Sequence, residues 1–504
     1  MPSSSSRLAR NFRIAAMAVS LAVTGISTGA PAQKAAVTAM PGQPSFLMGS
    51  FDLSKLGYRE DEYFLSGTAS SYRFITPPTS DGHWNAAVAD SAPYKTRIVV
   101  LRPSDPARFN GTVLVEWLNV TGGQDTPADW MVGHREMIRK GFAYVGVTAQ
   151  HVGVEGGNGP AGGLGGVPLK KTDPARYGSL VHPGDAFSYD MYSQAGAVLK
   201  SPRAGGVLGP LVPRHVIAMG ESQSAAYLVT YVNAVDPLAR VYDGFLVHSR
   251  FGSGSSLAGI PMGGGASKMP EFAQYRRDLR VPVLTLITET DLLGSGLSGY
   301  YSARRPDDSR LRVWEVAGTA HADNYLFGGA FIDSGLEDVA RLAAVFVPST
   351  TTPMGKAAEP INPGMPHHYV LEAAIAAIDN WVRTGRPPAS TSVMEAAAPA
   401  APGAGPSLVL DANGLVKGGV RTPWVDVPTI RLSGKGDPAS FLGRLTGKGV
   451  PFDKAILDSL YPGGKADYLR KFTAALDSAI RAGHIAPEDR QEILAIAAIN
   501  YERP

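Results

Sequence analysis

The segment His215-Val216-Ile217-Ala218-Met219-Gly220-Glu221-Ser222-Gln223-Ser224-Ala225-Ala226 holds the residues of this chain best spaced for chemistry. An apolar run leads into Gly-x-Ser-x-Ser, and small residues then open a helical pattern. A strand that turns sharply into a helix presents a serine hydroxyl at the tip of the turn. The helix behind it aims N–H groups at any negative charge that develops there. That is the arrangement for attack on an acyl carbon. Gly220 leaves room for the turn. The last motif position is Ser224 and not glycine, a small residue still. Val216 to Met219 read as a strand buried on both faces. Ala225, Ala226, Leu228, Val229, Val232 and Val235 recur at helical spacing, and the pattern predicts a helix that stops before Pro237.

A serine hydroxyl is a poor nucleophile without a base in reach and an acid to orient that base. Where the serine sits at such a turn, the partners follow in the order acid, then histidine, each on a loop after a strand. In Val283-Leu284-Thr285-Leu286-Ile287-Thr288-Glu289-Thr290-Asp291 a buried strand ends in two carboxylates. Asp291, past the strand end, is the expected acid, and Glu289 is the alternative. In Trp314-Glu315-Val316-Ala317-Gly318-Thr319-Ala320-His321 a strand is followed by small residues and a histidine, the expected base. His367 and His368 are its rivals, or else cap the helix predicted over Leu371 to Val382 or line the pocket. His248, at the end of a strand, is a further candidate to face the site. The oxyanion donors are expected to be the backbone N–H of Gln223 and one from the loop after Trp117, at Asn119 or Val120.

These residues need a scaffold, and its pattern is visible. Residues 45 to 118 read as β-rich, with strands over 64–74, 94–101 and 111–119. From there strands (142–148, 216–219, 244–248, 281–288, 311–316) alternate with helices (130–140, 187–200). This predicts an α/β fold with a mostly parallel central sheet and helices on both faces. Long Gly/Pro-rich loops over 151–184, 251–270 and 322–366 follow strand ends, where open sheets bind ligands. Residues 388–407 are an Ala/Pro/Ser-rich linker or excursion. Residues 408–504 form a C-terminal extension expected to pack on the core at 33–387. Its start, 408–432, looks β-like, and helices are predicted over 453–460, 465–482 and 487–501.

The 504 residues suffice for a large core, and with 18% charged residues and a net charge of +3 nothing suggests a nucleic-acid partner. There is no cysteine, which excludes disulfides, thiol nucleophiles and thiolate metal sites. Arg7, Arg10 and Arg13 precede an apolar stretch, Ile14 to Ile26, and Ala30-Pro31-Ala32 fits signal cleavage. Residues 1–32 are therefore read as a signal peptide and the mature chain as exported, periplasmic or extracellular, with no membrane span left. No dinucleotide fingerprint, phosphate loop or HExxH helix is present, so neither cofactor nor metal is expected.

The chain resembles the α/β-hydrolase superfamily and, more closely, a family of secreted bacterial alpha/beta hydrolase domain proteins. The resemblance spans nearly the whole mature chain. It is carried by VEWLNVTGG (115–123), RYGSLVHPGDAFSYDMYSQAG (176–196), MGESQSA (219–225), TETD (288–291), WEVAGTAH (314–321), HHYVLEAAI (367–375) and GGVRTPWVDVP (418–428). It implies Ser222 as nucleophile, His321 as base and an acid at 289 or 291. It also implies that the tail is integral to one unit. GTAHAD followed by a WVRTG helix is similar to tannase and feruloyl-esterase ends, which favours a small-molecule ester as substrate. An amidase or peptidase using the same triad, and a secreted binding protein without catalysis, are the competing expectations.

Overall fold

The computed structural model describes residues 35–157, 165–201, 206–260, 268–352, 355–400 and 405–502; the expected signal peptide lies outside them. Nine strands form the main sheet: β1 (Ala36–Met40), β2 (Tyr58–Phe74), β3 (Ala86–Pro103), β4 (Thr112–Trp117), β5 (Ala143–Val147), β6 (His215–Glu221), β7 (Gly244–His248), β8 (Val283–Ile287) and β9 (Leu311–Glu315). Their order is β1-β2-β3-β5-β4-β6-β7-β8-β9. The six strands from β5 to β9 in this order run parallel, and β1 to β3 are antiparallel additions. The chain leaves β4 toward β5 on one side and returns to β6 on the other. A crevice opens at the strands' C-terminal ends beside such a reversal.

Period-2 alternation explains why both faces of the sheet are covered. The helices used below are α1 (Ala128–Arg139), α2 (Ser188–Leu199), α3 (Gln223–Thr230), α4 (Glu289–Leu293), α5 (Met365–Thr384), α6 (Gly464–Arg481) and α7 (Arg490–Asn500). Val113, Val115, Val216, Ala218, Val247 and Val283 pack with residues of α2 and α3. Leu114, Ile217, Met219, Leu246, Leu284 and Leu286 point the other way and pack with α1 and α5. All these strand residues are buried, each contributing about 1.5–3 kcal/mol for a large side chain.

The fold class matches the sequence expectation, while several boundaries differ. β2 begins at Tyr58, six residues before the predicted start, because its polar opening YREDEY pairs with β3 from Tyr58↔Pro103 onward. β1 is an almost wholly exposed edge strand with no hydrophobic pattern to betray it. The helix behind Ser222 does not stop before Pro237. A wide π turn at Tyr231–Val235 carries it into a further turn, Asp236–Ala239. Pro237 falls in the first turn of that last segment, where its missing N–H has no intrahelical acceptor to lose. α5 starts at Met365, and its N-cap Gly364 has φ 90°; a Cβ there would meet Asp323 Cγ at 2.5 Å. The predicted β character of 408–432 is reduced to the short pairings Ala396–Ala397 with Ser407–Leu408 and Ile430–Ser433 with Lys448–Pro451 and to isolated bridges at Leu410↔Val416, Met394↔Gly418 and Val316↔Val420.

The C-terminal residues lie against the edge strand and the helices. Val420 N–H donates to Glu315 O at 2.7 Å, and Ala317 N–H to Val420 O at 3.1 Å. Met394 is buried, its N–H donating to Glu315 at 2.7 Å. Glu492 of α7 accepts from Arg135 of α1 and from Tyr369 of α5, both at 2.7 Å.

The Gly-x-Ser-x-Ser turn explains itself in space. A Cβ on Gly220 would stand 3.1 Å from Ser224 Cβ and 3.2 Å from Leu228 Cδ1. The Ser224 hydroxyl is buried and has no hydrogen-bond partner. Ser224→Ala keeps the Cβ and removes only that hydroxyl. It is expected to leave stability unchanged or raise it by up to about 1 kcal/mol in urea unfolding; a loss above that would reveal a partner for the hydroxyl.

Candidate active site

Three strand ends converge. Ser222 follows β6 and caps α3 with φ 59° and ψ −115°, a left-handed conformation that strains any residue with a side chain. The neighbouring strand and the helix hold it there: Ser222 N–H donates to His248 O, at the end of β7, at 3.0 Å, and Ser222 O accepts from Ala226 N–H of α3 at 3.1 Å. The strained turn lifts the hydroxyl off the sheet edge into a partly open position.

His321 lies on the loop after β9. Its Nε2 is 2.7 Å from Ser222 Oγ, and its Nδ1 is 2.6 Å from Asp291 Oδ1. A carboxylate only accepts, so Nδ1 carries the proton and Nε2 is free to accept from the serine hydroxyl. The ring is 4 % exposed and stacks on Phe251, centroids 5.0 Å apart. It is more enclosed than a loop base read from sequence suggests.

Asp291 is not in a free loop, as the sequence reading had it, but at the third position of α4. Its Oδ2 accepts from Thr288 N–H at 2.8 Å, and Thr288 Oγ1 accepts from Asp291 N–H at 3.2 Å, a reciprocal capping box. Burial opposes its ionisation, but the His321 charge and the hydrogen bonds from His321 and Thr288 outweigh it, holding the carboxyl below its ordinary range. Glu289, the alternative acid, turns elsewhere. It accepts from Gly318 N–H at 2.6 Å and Gly434 N–H at 2.7 Å, and burial pushes it up to about 7 against those two bonds.

The candidate oxyanion donors separate. Gln223 N–H heads α3, where first-turn N–H groups lack intrahelical acceptors. Val120 N–H donates to Gln223 Oε1 at 3.2 Å, which places it beside the same residue. Asn119 N–H is already committed to Thr126 O at 3.0 Å, so its backbone is not a donor for the site. Its side chain instead bonds Glu221 O and Oε2, each at 3.2 Å.

Sequence reasoning missed Glu221. Its Oε1 lies 3.4 Å from His321 Nε2. Burial, then the charges of Asp129, Asp291 and Glu116, raise its carboxyl well above the usual range. Also missed were the walls of the cavity of about 200 Å³ in front of Ser222 and His321, which include Thr121, Phe251, Leu297, Phe441 and Arg444. No spacing rule marks residues drawn from three separate loops and the short helix Phe441–Thr446.

His367, weighed as a rival base, and His248, expected to face the site, belong to a second buried chain. Asp129 Oδ1 is 2.8 Å from His248 Nδ1, His248 Nε2 is 2.6 Å from His367 Nε2, and His367 Nδ1 is 2.9 Å from Asp323 Oδ2. Each Nδ1 faces a carboxyl oxygen, and a contact of 2.6 Å between two ring nitrogens needs one proton between them. Burial, then the neighbouring His367, pushes His248 well below its ordinary value, and burial lifts Asp129 to about 8. The chain ties β7, α1, α5 and the His321 loop together. His368 is apart, its Nδ1 2.7 Å from Val132 O and its ring stacked on Tyr325. Among the described residues no group of three or more His, Asp or Glu is arranged to hold a metal ion, and no helix is long and apolar enough to cross a membrane.

The alpha/beta hydrolase domain family matches residues 25–495, and the chain belongs to that family. It is a hydrolase by class. Among solved structures it is similar to a glucuronoyl esterase from Solibacter usitatus (10% identity, 57% of this chain and 83% of that one, TM-score 0.29). It is also similar to an esterase from Pyrococcus furiosus (11%, 54% and 86%, TM-score 0.27). A third is an α/β serine hydrolase without a lid from Xanthomonas campestris (9%, 49% and 83%, TM-score 0.26). The substrates in those names belong to those proteins. Curated proteins give no match.

Removing one member of a buried charged chain strands the others. His367→Ala leaves His248 Nε2 and Asp323 Oδ2 unpaired in the core, while Asp129 and Leu326 N–H stay in place, and is expected to cost about 1–3 kcal/mol in urea unfolding. A loss below 1 kcal/mol would show that the chain does not hold these elements.

Proposed function

We propose that the protein hydrolyses a carboxylic ester through a Ser222–His321–Asp291 triad and an acyl-enzyme. The observation that carries this reading is the continuous hydrogen-bonded path from Ser222 Oγ through His321 to Asp291, with steps of 2.7 and 2.6 Å. His321 Nε2 takes the hydroxyl proton as Ser222 Oγ bonds to the ester carbon. The charge on the former carbonyl oxygen is met by the N–H groups of Gln223 and Val120, the latter once the Gln223 side chain gives way. His321 then returns its proton to the leaving alkoxide. Water, deprotonated by His321, attacks the acyl carbon and releases the acid and Ser222. Asp291 fixes the tautomer and stabilises the imidazolium. Glu289, bonded to two backbone N–H groups, is a brace and not the acid.

On a chromogenic ester, Ser222→Ala is expected to lose about 10⁶ in kcat with folding retained. Asp291→Asn is expected to lose up to about 10⁴ in kcat, and Glu289→Gln far less. Near-wild-type turnover by Ser222→Ala would end the hydrolase mechanism. A dead Glu289→Gln with an active Asp291→Asn would move the acid.

We also infer that the chain is exported and cleaved near Gln33, on the strength of the three arginines, the apolar stretch and Ala30-Pro31-Ala32. Intact mass of exported protein should fit a start near Gln33. A full-length chain retained in the inner membrane would contradict it.

A further inference from the structure

The cavity in front of Ser222 adjoins a larger one. A space of about 500 Å³ opens between the loop after α4 and the C-terminal extension. Ser295, Gly296 and Arg444 line both, so they form the seam between the reacting atoms and the larger space.

Arg444 at this seam is a cation without a counter-charge. Among the described residues, no carboxylate oxygen comes within the 4.0 Å of an ion pair with it. That contrasts with Arg97, Arg135, Arg139, Arg176, Arg280 and Arg304, which all have such partners. Among the described residues its Nε is buried with no acceptor, and its side chain makes one hydrogen bond, from Nη1 to Pro438 O at 3.2 Å. The backbone, by contrast, is fixed: Arg444 N–H donates to Ser440 O at 3.1 Å, and Arg444 O accepts from Ser295 Oγ at 2.9 Å. The guanidinium is half-buried near the Phe441 ring, 6.0 Å from its centroid. The other charged side chains of the larger space are Lys435, exposed at its rim, and Glu289. Both oxygens of Glu289 are taken by backbone N–H groups. A buried guanidinium donor left without an acceptor is unfavourable, and an anion in the seam supplies one.

We propose that Arg444 binds a carboxylate on the substrate, so that the preferred ester is anionic, with its charged group at the seam between the scissile bond and the larger cavity. The proposal rests on Ser222 being the nucleophile. A planar fork of N–H donors matches a carboxylate, and partial burial limits its screening by water. The ester bond is thereby held over Ser222 by a contact remote from the reacting carbon, and the binding energy of that contact appears in kcat/KM.

The test compares two esters of equal length, mono-4-nitrophenyl glutarate and 4-nitrophenyl valerate, at low and high salt. Wild type is expected to prefer the glutarate by about tenfold or more in kcat/KM, the size of one charge-assisted hydrogen bond. The preference should shrink at 0.5 M salt, where exposed charges are screened. In Arg444→Gln the ratio should fall to about one, and Arg444→Lys should restore part of it. Thermal melting checks that both variants fold, and the ratio within each variant is independent of how much protein is active. Labelling of Ser222 by a fluorophosphonate, run alongside, reports on the nucleophile separately. No labelling overturns the serine mechanism and this proposal with it. With labelling intact, three results overturn the Arg444 assignment alone: equal rates on the two esters, turnover of neither, or a preference that survives Arg444→Gln.

Discussion

The carboxylate of Glu289 ties together three segments, α4, the loop after β9 and the C-terminal extension. It opens α4, which holds Asp291. Its oxygens accept from Gly318, on the loop that carries His321, and from Gly434, in the C-terminal extension that carries Arg444. Thr290 continues the seam: its hydroxyl donates to Gly434 O at 2.6 Å and accepts from His321 N–H at 3.2 Å. A carboxylate that accepts only from backbone N–H groups fixes the main chain whatever the surrounding side chains do. Together with the β8–β9 pairing and the Thr290 contacts, this brace helps to space Asp291, His321 and the cavity wall, and burial pushes its carboxyl up to about 7.

The other half of the site depends on strain. Ser222 sits at φ 59° because β6 is buried between β4 and β7 and cannot yield, while α3 must start at once. The two stabilising devices are of different kinds. The elbow is enforced by sheet hydrogen bonds and by the closeness of Gly220 to Ser224. The histidine loop is enforced by buried polar contacts, including the Asp323 end of the His248–His367 chain. Each acts on one partner of the 2.7 Å contact between Ser222 and His321, so a small shift in either separates the hydroxyl from the imidazole.

Local patterns made much of this legible. The apolar strands with turn residues after them gave the sheet and the post-strand positions of Ser222, Asp291 and His321. The sequence favoured Asp291 over Glu289 by its place past the strand end, but the free loop expected there is a capping box, and the box that turns Asp291 toward His321 is a matter of backbone geometry. Asn119 looked like an oxyanion donor, but its N–H is consumed by a bridge to Thr126 that no periodicity announces. The Asp129–His248–His367–Asp323 chain draws one residue each from α1, β7, α5 and a loop. Arg444 stands more than 200 positions from Ser222 in a segment of no distinctive composition. Contacts of that sequence separation leave no trace in spacing.

The central claim is that Ser222 Oγ is the atom that becomes acylated. The direct measurement is peptide mapping by mass spectrometry after reaction with a fluorophosphonate. The account predicts a single stoichiometric adduct on Ser222, lost when the protein is unfolded before the reagent is added. An adduct on another residue, such as Ser224, or no adduct on the folded protein, would contradict it.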